Sequence, residues 1–504
     1  MHMHFMGIDI GTSGVRAAVF NRDGFQESLY YKEYHMICTE QGMGELDPET
    51  VFNSLMEVVK KCADSISDKG GISAVGLSTQ LFSIMAVDKA GQPLTNVFTW
   101  ADIRSMKYAE EIREKYDYVR IYNSTGCRGQ HPMYPLSKIL WLKGIDPERY
   151  KKVFKFVSIK EYVLYKLFGE FVIDITDAST TGFFNIHRFE WDDYILESVL
   201  HLDKMKLGIP VDCTFTLNGM KPEYAAAMGL DPKTPFAVGS GDGMLANLGC
   251  GVTDDTSMSC TIGTSGALRI AVDKPLLDPR QRTWCYCFTR DMWVAGGAIN
   301  NGGIVLKWFR DEYKNQFEFE AEVSGENSIY SLFDRYAADI NAGSDGLLFL
   351  PFLTGERSPN WNANAKGTLH GLQLMHGRKH IVRAAMEGVI YRMYSVYEVI
   401  TQLNNNVKQI IANGGYVNSE VWLQIQADIF GKEIAVAGIG EASVFGAAYV
   451  AMVAVGAVAD LRQKLPCMEP QKVIIPKNNN SMVYGENYGH FKKLYHAIYE
   501  NDQG

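Results

Sequence analysis

Two aspartates sit where apolar runs meet glycines, Asp9 in IDIGTSG at 8–14 and Asp242 in GSGDG at 239–243. A carboxylate so placed can orient and partly deprotonate a hydroxyl, or meet a divalent cation through water. Glycines let the backbone approach an anion, and turn N–H groups with Thr or Ser hydroxyls then bind phosphate. Four such turns follow apolar runs: Gly11, Thr12 and Ser13 within 9–14; 239–243; Gly263 and Thr264 within 263–266; and Gly414 and Gly415 within 413–415. One turn of this kind is ordinary structure. Four, two of them identical, read as a phosphate clamp with a carboxylate on each side.

The familiar phosphate machines do not fit. Gly431-Lys432 is the only GK pair and Glu433 follows it, so there is no Walker A loop. The HRD and DFG signatures are absent, and no GxGxxG opens a helix after the first strand. A net charge of 49 − 58 = −9 speaks against a nucleic-acid surface. Nine scattered cysteines without a CxxC pair read as reduced thiols of a cytoplasmic protein, not a zinc site. The first residues lack a basic and then an apolar region, so no signal peptide is expected, and His2 and His4 there are read as idle. The uncharged stretch 442–459 holds seven Ala and two Gly, and is expected to be a small-residue helix packed inside a soluble domain, not a membrane span.

DIGTSGVRA, GSGDG, TIGTSG and NGGYVNSEVW resemble the FGGY family of carbohydrate kinases, as do YPLSKILWL at 134–142 and GTLHGL at 367–372 followed by HIVRAAME at 380–387. The likeness spans about residues 5–460. TWADIRS (99–105), HPMYPLSK (131–138), GGAINNGGIVLKW (296–308) and PFLTGERSPNWN (351–362) are most similar to its gluconokinase branch, with xylulokinases as near relatives. The resemblance implies an α/β fold of two actin/hexokinase-like (ribonuclease H-like) ATPase domains with a cleft between them. It implies ATP and Mg²⁺ as cofactors, Asp242 as catalytic base, and Asp9 beside the metal. Gly11, Thr12, Ser13 and Arg16 would form the first phosphate loop, and Gly263 and Thr264 the second. Gly303, Gly414 and Gly415 would lie beside the nucleotide, with Asn418 or Ser419 near adenine or ribose; Lys307 stands where one branch carries Gln. For the sugar the implied residues are Ser78, Gln80, Trp100, Asp102 and Arg104. Leu81-Phe82 replaces the family's Met-His, which removes one side-chain hydrogen bond.

The implied reaction is phosphorylation of D-gluconate at its terminal hydroxyl to 6-phosphogluconate, with xylulose or another sugar or polyol as the alternative acceptor. A non-catalytic sugar or nucleotide sensor is the reading from a different class. Gluconate is an anion, so its site needs a cation. Arg104 and His131 are the preferred candidates, ahead of Arg128 and Lys138. Expected partners are a small sugar or sugar acid, with no nucleic acid and no membrane; a homodimer is left open.

The elements that must position these residues announce themselves by repetition. IGTSG occurs at 10–14 and at 262–266, half the chain apart, each time between apolar runs. Two related halves follow, 1–252 carrying the sugar site and first phosphate loop, 253–504 carrying the nucleotide site, joined by a short hinge near 250–258. Strands are expected at 71–80 and 81–88; 235–251 reads strand, glycine loop, helix, 347–359 a strand running into a loop, and 409–415 a strand and then a turn. Helices are expected at 50–66, 105–119, 137–144, 380–403 and 421–430, an α/β alternation.

Overall fold

The computed structural model describes residues 3–66 and 71–500. His2 lies outside them. His4 opens strand β1 (His4–Ile10), its Nδ1 2.7 Å from the Glu27 carboxylate. β1 is buried throughout, and the first IGTSG turn reverses it into β2 (Gly14–Asn21); the charged, exposed β3 (Gln26–Glu33) forms the edge. Helix α1 (Pro48–Asp64) starts at Asp47, whose carboxylate accepts the Thr50 N–H at 2.9 Å. It leads to β4 (Ile72–Thr79). β5 (Thr216–Leu217) and β6 (Phe236–Gly241) complete a sheet of order β5-β6-β4-β1-β2-β3. β6 runs straight into α5 (Asp242–Gly249), after α2 (Met106–Lys115), α3 (Tyr118–Thr125) and α4 (Pro135–Ile145).

The second half repeats the plan. β7 (Ser257–Ile262) turns at the second IGTSG into β8 (Gly266–Val272), followed by β9 (Trp284–Thr289), β10 (Met292–Ile299), β11 (Gln409–Asn413), β12 (Glu433–Val436) and β13 (Lys472–Ile474) in the order β9-β10-β8-β7-β11-β12-β13. Read outward from the hairpin, β3-β2-β1-β4-β6-β5 and β10-β8-β7-β11-β12-β13 show the same pairings: two antiparallel, two parallel, one antiparallel. The sequence repeat is thus a repeat of topology, and each IGTSG turn caps the same hairpin of its sheet. Around the second sheet lie α6 (Ile304–Glu312), α7 (Ile329–Ala338), α8 (Arg378–Leu403) and α9 (Glu420–Phe430).

The small-residue stretch forms α10 (Ala442–Ala454), buried almost all round. By position it belongs to the second half, yet it packs on β1, β4 and α5 of the first. A β-carbon on Gly7 of β1 would lie 1.9 Å from the Val444 carbonyl oxygen, and one on Gly76 of β4 would lie 1.9 Å from that of Ala447. Only glycine permits so close an approach. Phe445 of α10 meets Phe20 of β2 edge-to-face at 5.2 Å. A cut at 252/253 therefore separates the two sheets but not the two packed bodies. No helix of the described residues is long and apolar enough to cross a membrane.

Other expectations need correction. Residues 81–88 are not one strand; only Met85–Val87 is. Leu81-Phe82 turns the chain, Phe82 adopting φ 67° with its ring edge-on to Tyr134 and Tyr286. The helix expected at 105–119 is two, because Asp117 starts α3 by accepting the Arg120 N–H at 2.9 Å. No loop separates β6 from α5, so Asp242 is itself the first helical residue.

Candidate active site

Asp9 is the last residue but one of β1 and is buried. Its carboxylate accepts the Ser78 hydroxyl at 2.6 Å and the Ser443 hydroxyl of α10 at 3.2 Å, and Arg16 Nη1 lies 3.9 Å away. Burial raises its pKa, against the pull of Ser78, Arg16 and Ser443. Ser78 is fully buried with its hydroxyl turned to Asp9, so it buttresses that carboxylate and does not face an open site. In the turn, Gly11 N–H donates to the Gly14 carbonyl at 3.0 Å, and Ser13 is exposed. Thr12 Oγ1 donates to Gln80 Oε1 at 2.9 Å and accepts from the Trp100 indole at 3.0 Å. Trp100 is 45% exposed, so its ring is an open wall and not core packing.

Asp242 receives its own helix's Gly243 N–H at 2.6 Å, where the helix N-terminus favours negative charge. Burial and the Asp9 carboxylate nevertheless push its pKa up to about 6, against Arg269 and Gly243 N–H. Arg269 lies along Gly243; a β-carbon there would be 3.1 Å from its Nε. Each carboxylate thus has an arginine beside it, Arg16 by Asp9 and Arg269 by Asp242. Arg269 was not singled out from sequence. The signal was present: each IGTSG copy is followed within three residues of its last glycine by an arginine.

On the second half, the turns around Gly263, Thr264, Gly303, Gly415, Asn418 and Ser419 line one cavity of about 520 Å³, within the range of small-molecule sites. Gly303 N–H donates to the Gly263 carbonyl at 2.7 Å, which locks the loop to the start of α6. Gly414 beside it has φ 94°. Lys307, Tyr330, Asp334, Met386 and Trp422 are also in the wall; of these only Lys307 is singled out by the sequence. Ser419 is already engaged: its hydroxyl donates to Asp334 at 2.6 Å and accepts the Trp422 N–H at 3.1 Å, capping α9.

The acceptor wall differs most from expectation. Asp102 is buried and binds Arg104, which also meets Glu45 and, at 2.8 Å, Glu40, and stacks 4.5 Å over Trp141. Three carboxylates saturate that guanidinium, so Arg104 is not available to read an anion. Lys138 is equally occupied, donating to the carbonyls of Thr99 at 2.5 Å, Met133 at 2.8 Å and Phe82 at 3.5 Å. Burial lowers it to about 7. His131 Nδ1 accepts the Met133 N–H at 3.2 Å, and burial with the nearby Arg357, Arg128 and Lys138 charges pushes it down to about 3. His131 is neutral, with its proton on Nε2.

Mg²⁺ usually keeps waters and takes one or two carboxylates together with substrate phosphates. Asp9 and Asp242, close enough to act on each other, fit that donor set. No group of three or more His, Cys, Asp or Glu among the described residues offers an all-protein cage.

Two ribonuclease H-like halves, each presenting a glycine turn and an arginine beside a carboxylate, with a nucleotide-sized cavity on the second, define a phosphotransferase of the sugar-kinase kind. The chain belongs to the FGGY family of carbohydrate kinases: residues 4–249 match its N-terminal domain and 258–455 its C-terminal domain. It is 38% identical to a gluconokinase of Bacillus subtilis over 91% of this chain and 89% of that protein. A xylulose kinase of the same organism is 27% identical over 98% of this chain and 96% of that protein. The solved gluconate kinase from Lactobacillus acidophilus superposes with a TM-score of 0.92 at 30% identity, covering 99% of this chain and 98% of that one.

Proposed function

We propose that the protein transfers the γ-phosphoryl group of ATP to the terminal hydroxyl of D-gluconate, giving 6-phosphogluconate. One observation carries the chemistry: Asp242 is the first residue of α5, accepts the Gly243 N–H at 2.6 Å and has Arg269 alongside, in surroundings that push its pKa up to about 6. Such a carboxylate is ionised at neutral pH yet basic enough to accept the proton of an attacking hydroxyl. Phosphoryl transfer asks little covalent chemistry of a protein and much positioning and charge neutralisation. Asp242 orients the acceptor hydroxyl, and the two glycine turns hold the phosphates through backbone N–H groups. The 520 Å³ cavity takes the nucleoside, with Asn418 near its polar edge. Asp9, its carboxylate held by Ser78 and Ser443, would hold Mg²⁺, which would neutralise phosphate charge.

Gluconate as acceptor is supported by the greater identity to a gluconokinase than to a xylulose kinase. The cytoplasm suits it, since all nine cysteines are free thiols. The test is ADP release from ATP with gluconate and with xylulose. Higher kcat/KM for gluconate is expected. A tenfold or greater preference for xylulose overturns the acceptor and leaves the kinase standing, and no ADP release with any sugar favours a sensor.

A further inference from the structure

Arg128 and Arg357 are both largely shielded from solvent, yet among the described residues neither forms an ion pair. Arg128, after α3, donates Nη1 to the Gln281 carbonyl at 3.0 Å and lies 5.1 Å over the Trp361 ring. Arg357 donates Nε to Asn300 Oδ1 at 2.7 Å and Nη2 to the Ile299 carbonyl at 3.3 Å, which leaves Nη1 without a partner. The neighbouring carboxylate is spoken for. Glu356 Oε1 accepts the N–H groups of Asn300 at 2.9 Å and Arg357 at 2.7 Å, and its Oε2 faces Arg392 at 3.2 Å. The His131 ring stands 5.4 Å from Trp361 and offers a neutral Nε2–H.

A guanidinium held out of water with N–H donors that no carboxylate pairs is unfavourable until an anion joins it. A guanidinium matches a carboxylate through paired N–H donors. Arg357 is close enough to Arg269 to feel its charge, and Arg269 in turn acts on Asp242. Arg269 thus links this cluster to the base through its charge.

We propose that Arg128, Arg357 and His131, walled by Trp361, form the subsite for the carboxylate of an open-chain sugar acid. This rests on gluconate being the acceptor; it keeps His131 in the role that sequence reasoning gave to it and Arg104, and puts Arg128 and Arg357 in place of Arg104. The subsite is composite. Arg128 and His131 come from the first half, Arg357 and Trp361 from the second, so the acid's carboxylate bridges the two.

The experiment compares wild type with Arg128→Gln and Arg357→Gln. It measures kcat/KM for gluconate and xylulose, KM for ATP, and calorimetric gluconate binding without nucleotide. Each variant is expected to lose about ten- to a hundredfold in gluconate kcat/KM, to weaken gluconate binding in step, and to change xylulose kcat/KM and ATP KM by less than about threefold. Equal losses on both sugars overturn the subsite, as does a loss confined to ATP KM, which would assign the slot to nucleotide phosphate. If Arg357→Gln fails to fold because Asn300 loses its partner, Arg128→Gln decides alone, since it gives up one carbonyl contact and the stacking on Trp361. A wild type that ignores gluconate overturns the acceptor and the subsite together. A wild type that prefers gluconate, with variants that keep the preference, overturns the subsite only.

Discussion

At the scale of single residues, Asp242 carries the sharpest expectations. Asp242→Asn should lower kcat by roughly 10²–10⁴-fold with nucleotide binding little changed; near-normal kcat would remove it from the mechanism. Because the base works ionised and burial pushes its pKa up to about 6 in the free protein, kcat/KM should rise with pH on a limb centred near 6. Stability should run the other way. The folded pKa lies above the model-peptide value of 3.8, so the folded state holds the proton longer than the unfolded one, and stability falls as pH rises from about 4 to 6. Asp242→Asn should therefore be more stable than wild type at pH 8 by on the order of 1 kcal/mol, a gain absent at pH 4. Chemical denaturation at the two pH values checks it. Both aspartates and the glycine turns could be read from the sequence because each sits in a short motif whose residue types declare the chemistry. Ser78, Arg104 and Ser419 could not. What decides their roles is a partner far along the chain: Asp9 for Ser78, Glu40 and Glu45 for Arg104, Asp334 for Ser419.

At the scale of elements, the contact of α10 with β1 and β4 depends on absent side chains. Gly7→Ala or Gly76→Ala places a methyl 1.9 Å from a helix carbonyl, and backbone must move to admit it. Each should destabilise by about 1–3 kcal/mol in urea unfolding. Gly485, with open space around it inside the helix Asn478–Tyr499, is the control; Gly485→Ala should stabilise by about 0.5–1 kcal/mol. The displacement of α10 should also reach the site, since Ser443 sits at its start and hydrogen-bonds Asp9. The repeated IGTSG foretold two equivalent hairpins, and both sheets bear it out in every pairing from β3 to β5 and from β10 to β13. The apolar, small-residue character of 442–459 foretold a buried helix. It held no information about which sheet would bury it, because uniform small residues fit any close-packed surface. Periodicity likewise failed at 81–88, where apolar residues continue through a turn that Phe82 makes at positive φ.

For the whole molecule, the phosphate turns lie one on each half, so both touch one nucleotide only when the halves approach. Small-angle scattering with gluconate and a non-hydrolysable ATP analogue should show a smaller radius of gyration than the free protein. An unchanged profile with binding established independently would count against closure, which also serves to exclude water from the phosphates. The crossing of α10 has another consequence, for the order in which the chain is made. A ribosome releases β1, β4 and α5 long before Ala442 appears, so a nascent first half waits with the surface around Gly7 and Gly76 bare. The first half cannot finish folding domain by domain as it emerges. It must be kept from aggregating until the last of its layers has been translated, and arrested nascent chains ending before residue 442 should be digested by protease far faster than chains that extend past residue 454.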